Sequence, residues 1–315
     1  MLRASGEFQK ESFVARPYAI YDVFTSQKLE GNPLAVVFEA EGLDDRAMQA
    51  IATEFNLSET VFVFKPEHAS HAARLRIFTT MRELPFAGHP TVGAAVALAE
   101  RGNAGDRDTV QVLEENVGPV RCAVRLKAGS PTFAEFDLPR KSRCLDARFD
   151  RQALADALSL KSTQVGFENH VPSLWSAGVP FVMVPLHDVS AVAAIDFDPA
   201  AWEQLAPMAD GVLAGAYVYC RGGINHQARF HARMFSSGLG LMEDPATGSA
   251  AAALSGAIHH FDKLIDGHYP ILIEQGVEMG RPSFIHLHLD IHKSEIATAR
   301  IGGAAIKVAA GELFL

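Results

Sequence analysis

The fold is decided by two stretches, Gly88-His89-Pro90-Thr91-Val92-Gly93-Ala94-Ala95-Val96-Ala97-Leu98 and Asp244-Pro245-Ala246-Thr247-Gly248-Ser249-Ala250-Ala251-Ala252-Ala253-Leu254. Each follows a strand-like Arg-x-Phe segment, at 76–78 and 233–235. When Thr91 is aligned with Thr247, 156 positions away, five of the eleven residues are identical. A spacing that is kept across half a chain indicates duplication of one structural unit.

The two alanine-rich runs also predict the architecture. They are apolar on every face, which is typical of helices that are buried all round. Segments rich in β-branched and aromatic residues outnumber helices along the chain, for example the strand predicted at 60–64 after a helix at 44–55 capped by Asp44. We therefore predict an α+β fold with two similar halves, each a sheet around one central helix. The polar crossover 139–150 is our domain boundary.

Further strands are predicted at 162–169, 295–302 and 304–308, and a loop at 236–246. These segments are shorter or less regular than the two helices. The strands are predicted from runs of apolar and β-branched residues, which are less distinctive than the two alanine-rich runs.

Composition excludes several classes of protein. The chain has 315 residues, 48% of them apolar, which suffices for two packed domains. Its net charge of −9 and scattered Lys and Arg argue against a nucleic-acid or membrane-surface partner. Three cysteines without CxxC spacing favour a reduced, cytoplasmic protein. Residues 1–16 lack the apolar core of a signal peptide, and we expect a poorly ordered lead-in there.

Both helix starts have features of an anion site. Pro90 suits the first turn of a helix, where its missing N–H is not needed. The free backbone N–H groups and the helix dipole favour a carboxylate at His89 and, in the second half, at Gly248 and Ser249. The simpler alternative is that Asp244 only caps its helix and that His89 only fills a turn.

Glu59 is the candidate for proton transfer. It lies between a predicted helix and an apolar strand, where burial would raise the pKa of its carboxyl. The alternative is a surface glutamate at a strand start. No histidine pair has the spacing of a metal site, and no nucleotide-binding or GxSxG motif is present, so we expect no metal and no cofactor.

Together these residues resemble the PhzF-like family. The resemblance is carried by 56–60, 82–95 and 243–250, with support from 31–37 and 275–283. It implies the diaminopimelate-epimerase-like fold, with two pseudo-symmetric domains of mostly antiparallel sheet at 17–138 and 139–302 and the active site between them. The C-terminal segment 303–315 would return to the first domain. It also implies a homodimer that uses neither cofactor nor metal.

The resemblance also implies roles for individual residues. Glu59 would be the general acid/base, with His89 and Asp244 beside it as catalytic residues. The substrate, a small molecule with a carboxylate, would be held by Ser58, Gly88, Thr247, Gly248 and Ser249. Related epimerases carry a cysteine pair at the two helix starts, and this chain does not. A two-thiol racemase is therefore excluded.

Three functions stay open at this point. The first is a cofactor-independent isomerase that moves a proton within a small cyclic or hydroxy amino-acid-like substrate. The second is a two-base epimerase that uses Glu59 and His89. The third is a ligand-binding protein of the same fold without catalysis.

Overall fold

The computed structural model describes residues 15–102, 105–236 and 242–315. Residues 1–14 of the predicted lead-in and 237–241 of the predicted loop lie outside these ranges. The α-helices are α1 (Asp45–Phe55), α2 (Gly88–Arg101), α3 (Arg151–Ala157), α4 (Val189–Ala193), α5 (Pro199–Leu205) and α6 (Gly248–Asp262). The strands are β1 (Ala15–Val23), β2 (Asn32–Val37), β3 (Glu59–Phe64), β4 (Ala73–Phe78), β5 (Glu83–Leu84), β6 (Arg107–Glu115), β7 (Gly118–Leu126), β8 (Thr132–Asp137), β9 (Arg143–Leu145), β10 (Ser173–Ser176), β11 (Pro180–Pro185), β12 (Met208–Ala209), β13 (Val212–Leu213), β14 (Gly215–Arg221), β15 (Phe230–Phe235), β16 (Glu243–Asp244), β17 (Gly267–Gln275), β18 (Ser283–His292) and β19 (Glu295–Phe314).

The pairing of strands repeats along the chain. In the first half β2 is parallel to β3, β3 antiparallel to β4, and β4 parallel to β6. In the second half β11 is parallel to β14, β14 antiparallel to β15, and β15 parallel to β17. The short strands β5 and β16 pair with β4 and β15 just before α2 and α6. This repeated order is what duplication of one unit produces.

The structure corrects the register of the repeat. Gly88 and Gly248 begin the two helices and are 160 positions apart, as are the starts of β5 and β16. The alignment of Thr91 with Thr247 at 156 positions is therefore wrong by one helical turn. Two alanine-rich helices give matching alanines at several alignments, so these matches do not show which alignment is correct.

The prediction of buried central helices is confirmed. Most of α2 and α6 is inaccessible to solvent, and both helices contribute to the main hydrophobic cluster. Small residues allow the strands to pack this closely. A Cβ atom on Gly93 would lie 2.4 Å from Cδ2 of Leu34, and one on Gly256 would lie 2.6 Å from the Trp175 ring.

Other predicted elements agree with the structure only in part. The helix capped by Asp44 is present, with the Asp44 carboxylate accepting from the Ala47 N–H. The strand predicted at 162–169 is instead a 3₁₀ turn (Ser162–Gln164) with isolated bridges at Val165 and Phe167. The two strands predicted after 295 are one strand, β19. Gly302 and Gly303 continue this strand, since they pair with Glu135 and Ala134 of β8. A Cβ atom on either glycine would collide with Glu135 or Phe24.

Strand β19 connects distant parts of the chain. It pairs with β18 over residues 295–302, with β8 over 300–305 and with β1 over 305–314. The division into domains at 138/139 stays a prediction. Within the described part of the chain, no helix is both long and apolar enough to cross a membrane.

Candidate active site

The N-termini of α2 and α6 meet in the interior of the molecule. A Cβ atom on Gly88 would lie 3.0 Å from the Cα of Gly248, and one on Gly248 would lie 3.1 Å from the Cα of Gly88. The backbone nitrogens of His89 and Ser249 are each 3.5 Å from these positions. Glycine at both positions therefore lets the two positive helix ends converge, and any side chain would separate them.

Glu59 lies beside this junction. It is the first residue of β3, and its backbone pairs with Leu34 of β2. Its side chain is 16% exposed, and its Oε2 lies 3.4 Å from Nε2 of His89. Burial and, secondarily, the charge of Asp244 raise the pKa of Glu59 well above its ordinary value.

His89 faces Glu59 as a neutral ring. Its side chain is 4% exposed. Burial lowers the pKa of His89 to about 3, against a smaller opposing effect from a hydrogen bond with the backbone of Pro33. Among the residues that the structure describes, neither Glu59 Oε2 nor His89 Nε2 has a hydrogen-bond partner. Two buried polar atoms are thus left for a third group to satisfy.

Asp244 is held by three donors. Thr247 Oγ1 donates to its Oδ2 at 2.6 Å, Asn32 Nδ2 donates to its Oδ1 at 2.8 Å, and Ser58 Oγ lies 3.5 Å from Oδ1. Burial raises the pKa of Asp244 to about 6, and the three donors act in the opposite direction. Asp244 does not cap α6, because the N-cap position belongs to Thr247.

The remaining predicted residues lie around the same junction. Ser58 precedes Glu59, Gly88 and Gly248 begin the helices, and Ser249 is the second residue of α6. Ser249 is half-buried, while Gly88 and Gly248 are buried. The structure therefore brings together all eight residues assigned to the site.

Two site residues were missed in the sequence. Asn32 begins β2 and also donates to the Ala246 carbonyl at 2.9 Å. Gln275 ends β17 and contacts both Asp244 and Thr247. Both belong to segments that carried the family resemblance, but their partners lie far away in sequence. Contacts of that kind cannot be predicted from spacing.

In the described part of the chain, one group of side chains is close enough together to bind a metal ion, namely Glu168, His170 and Asp262. Arg221 already lies among these side chains. Its guanidinium donates to Glu168 at 2.9 Å and to both oxygens of Asp262, and it stacks over the Phe167 ring. A cation is therefore already present in this group, and we assign it a structural role.

Comparison with known proteins identifies the family of the chain. Residues 21–311 match the family described as phenazine biosynthesis-like protein. An uncharacterized isomerase of Mesorhizobium japonicum is 54% identical over 302 residues, which cover 95% of this chain and 99% of that protein. A trans-2,3-dihydro-3-hydroxyanthranilate isomerase of Pseudomonas fluorescens is 34% identical over 298 residues, again 95% of this chain and 99% of that protein.

Solved structures agree on the fold. A PhzF-family phenazine biosynthesis protein of Bacillus anthracis has a TM-score of 0.85 at 25% identity, covering 96% of this chain and 100% of that one. A hydroxyproline epimerase of Agrobacterium vitis has a TM-score of 0.64 at 13% identity, covering 96% and 93%, and this likeness concerns the fold alone. The resemblance seen in the sequence is thereby confirmed. The chain belongs to the phenazine biosynthesis-like family of isomerases.

Proposed function

We propose that the chain is a cofactor-independent isomerase in which Glu59 moves a proton between two carbons of one substrate. The observation that carries this proposal is the pair of unpartnered atoms, Glu59 Oε2 and His89 Nε2, buried 3.4 Å apart. A carboxyl whose pKa is raised by burial can both give and take a proton near neutral pH. His89, being neutral, would hydrogen-bond the substrate without competing for the proton.

The substrate would be a small cyclic or hydroxy amino-acid-like carboxylate. The converging helix starts at Gly88 and at Gly248–Ser249 offer backbone N–H groups and positive dipole ends to its carboxylate. Ser58, Thr247 and Asp244 would face its amine or hydroxyl group. The relatives named as trans-2,3-dihydro-3-hydroxyanthranilate isomerases make that compound the first to test.

The geometry favours isomerisation over two-base epimerisation. An epimerase that uses two residues needs its acid and its base on opposite faces of one carbon, each within hydrogen-bond reach, which places them about 6 Å apart. Glu59 and His89 are 3.4 Å apart, so they address one face. A proton that leaves and returns on one face moves along the substrate rather than across a carbon.

The first prediction concerns Glu59→Gln. We expect proton NMR in D₂O with a panel of cyclic and β-hydroxy amino acids, including trans-2,3-dihydro-3-hydroxyanthranilate, to detect isomerisation by the wild type. The variant should be at least ~100-fold slower, because it removes the group that carries the proton. Glu203→Gln, on the exposed face of α5, is the matched control and should keep wild-type activity.

Each outcome assigns one of the three functions. If deuterium enters at one stereogenic carbon and the double bond does not shift, the reaction is an epimerisation and not an isomerisation. Binding of a panel member with equal affinity to wild type and Glu59→Gln, without exchange in either, would identify a non-catalytic binding protein. The homodimer implied by the family resemblance stays a prediction, which sedimentation equilibrium tests.

A further inference from the structure

Gln275 lies beneath the second helix start and is fully buried. Its Nε2 donates to the Asp244 carbonyl at 2.8 Å and to Thr247 Oγ1 at 3.0 Å. Its Oε1 accepts from the Thr247 N–H at 3.3 Å and from the Tyr217 hydroxyl at 3.2 Å. Since a carbonyl can only accept and a backbone N–H can only donate, these contacts fix the orientation of the amide.

The fixed amide determines the direction of the next hydrogen bond. Thr247 Oγ1 accepts from Gln275, so its single hydrogen is free to point elsewhere. The nearest acceptor is Asp244 Oδ2, at 2.6 Å. The chain therefore runs in one direction, from the Gln275 amide through the Thr247 hydroxyl to the Asp244 carboxyl.

The other oxygen of Asp244 is also an acceptor. Asn32 Nδ2 donates to the Ala246 carbonyl as well as to Asp244 Oδ1, which fixes the orientation of that amide too. Both oxygens of Asp244 thus face donors. A protonated Asp244 would have to turn its O–H towards one of them, and an ionised Asp244 is satisfied.

Glu59 has the opposite surroundings. Within the described residues no donor reaches its Oε2, His89 beside it is neutral, and the negative charge of Asp244 opposes a second anion. The other charged or titratable groups near Asp244 are Glu243, which is paired with Arg233, and the Tyr217 hydroxyl. Neither supplies a positive charge that would favour an ionised Glu59.

We infer that Gln275 is a positioning residue which, through Thr247, fixes Asp244 as the anion of the site and leaves the site's proton on Glu59. The inference deepens the proposed function, and the catalytic role that it gives to Glu59 rests on that function. Glu59 is then protonated when the substrate binds, and it acts first as an acid. Within the proposed substrate class, the substrate must then carry a C=C bond that can accept that proton, as the enamine form of a cyclic amino acid does.

The two proton transfers balance without another reactant. The Glu59 O–H bond breaks, and the π electrons of the enamine form the new C–H bond, leaving an iminium ion stabilised by the substrate nitrogen. The Glu59 carboxylate then removes a proton from a second carbon. The electrons of that C–H bond form the new C=C bond, the π electrons of the iminium C=N bond return to nitrogen as its lone pair, and Glu59 is protonated again.

The test is a ¹³C NMR titration of the apo protein labelled at Asp and Glu side-chain carboxyls, with Asp244→Asn and Glu59→Gln for assignment. In the wild type, Asp244 should titrate below Glu59. Thr247→Val and Gln275→Leu should each raise the pKa of Asp244 by about one unit or more, since the first removes the donor to Oδ2 and the second removes the amide that orients this donor. Thr247→Ser keeps the hydroxyl and should keep the wild-type pKa of Asp244.

The double variant Thr247→Val/Gln275→Leu should shift the Asp244 pKa no further than either single change, because both act through one hydrogen bond. If Gln275→Leu does not fold, Thr247→Val carries the test. An unchanged Asp244 pKa in Thr247→Val, or an ionised Glu59 beside a protonated Asp244 in the wild type, would overturn the inference.

The titration needs no substrate. It therefore tests the role of Gln275 independently of whether the protein isomerises any compound. The expected shifts without turnover of any panel member would support the role of Gln275 and refute isomerisation of the panel compounds. With an active substrate, kcat/KM should fall as pH rises through the pKa of Glu59. If kcat/KM falls towards low pH instead, Glu59 acts first as a base, and the proposed order of the two proton transfers is wrong.

Discussion

At the scale of residues, corresponding strand ends in the two halves carry Glu115 and Gln275. Both are the last residues of strands, β6 and β17, that run parallel to β4 and β15. Each contacts a threonine hydroxyl near a helix start, Glu115 that of Thr91 and Gln275 that of Thr247. An ionised carboxylate can only accept from such a hydroxyl, whereas an amide or a protonated carboxyl can also donate to it.

The contacts of Thr91 indicate that Glu115 is protonated. Thr91 Oγ1 lies 2.8 Å from the Ala87 carbonyl and 2.8 Å from Glu115 Oε1, but it has one hydrogen for two acceptors. Both contacts are satisfied when Glu115 donates to Thr91 and Thr91 donates to Ala87. Burial raises the pKa of Glu115 to about 8, in agreement with this arrangement.

Glu115→Gln should therefore flatten the pH dependence of stability. The folded pKa of about 8 lies above the ordinary value of 4.5, so the contribution of Glu115 is fully present below pH 4.5 and is lost as pH rises through 8. At about 1.4 kcal/mol per pKa unit, the wild type should lose up to about 5 kcal/mol relative to the variant. Urea denaturation at pH 5 to 9 measures this.

The neighbouring Glu114 provides the matched control. Its carboxylate accepts from the backbone N–H groups of Glu67 and His68, which lower its pKa to about 2. Glu114→Gln should change stability on the acid side, where the wild type loses the contribution as pH falls. An effect of Glu115→Gln that is uniform from pH 5 to 9 would show that Glu115 is ionised throughout.

At the scale of elements, the central helices depend on small residues. α2 packs against the paired strands β1 and β2, and the space at Gly93 is bounded by Leu34 of β2 and Val23 of β1. The positive ends of the two helices converge where Gly88 and Gly248 face each other without side chains. Helix propensity alone would favour alanine at such positions by about 1 kcal/mol.

Gly93→Ala tests whether packing outweighs propensity. The new Cβ would lie 2.4 Å from Cδ2 of Leu34 and 2.8 Å from Cγ2 of Val23, and Leu34 is fully buried. We expect a net loss of about 1–2 kcal/mol in the free energy of unfolding, measured with urea. In a Leu34→Ala background the same change should be neutral or stabilising. An equal loss in both backgrounds would contradict the packing explanation.

At the scale of the whole molecule, the short motifs were the most informative part of the sequence. The segments around Glu59, His89 and Asp244 carry the family resemblance, and this resemblance implied a shared site for residues that the structure brings together. The repeat register was wrong because alanine matches are degenerate. The contacts of Asn32 and Gln275 were missed because they join residues 214 and 31 positions apart. The fold class followed from burial patterns, whereas these contacts depend on three-dimensional packing.

Arg281 connects the two halves near the site. It lies between β17 and β18, and it donates to the Gly31 and Glu30 carbonyls and to Asp22 Oδ1, each at 2.7 Å. These acceptors belong to β1 and to the turn that leads into Asn32. The Asp22 side chain is 4% exposed, so the carboxylate depends on Arg281 for much of its compensation.

Arg281→Met should lower the free energy of unfolding by about 2 kcal/mol, because it keeps the aliphatic stem but leaves a buried carboxylate without its cation. Arg121→Met is the control. The Arg121–Asp137 pair is also close, at 3.2 Å, but its side chains are 64% and 44% exposed, so we expect less than about 1 kcal/mol. The same urea experiment should show Asp22→Asn/Arg281→Met to be less destabilised than Arg281→Met alone. If the double variant is the less stable of the two, the Asp22 carboxylate is stabilised without Arg281, through the Leu29 N–H that donates to its Oδ2 at 2.6 Å.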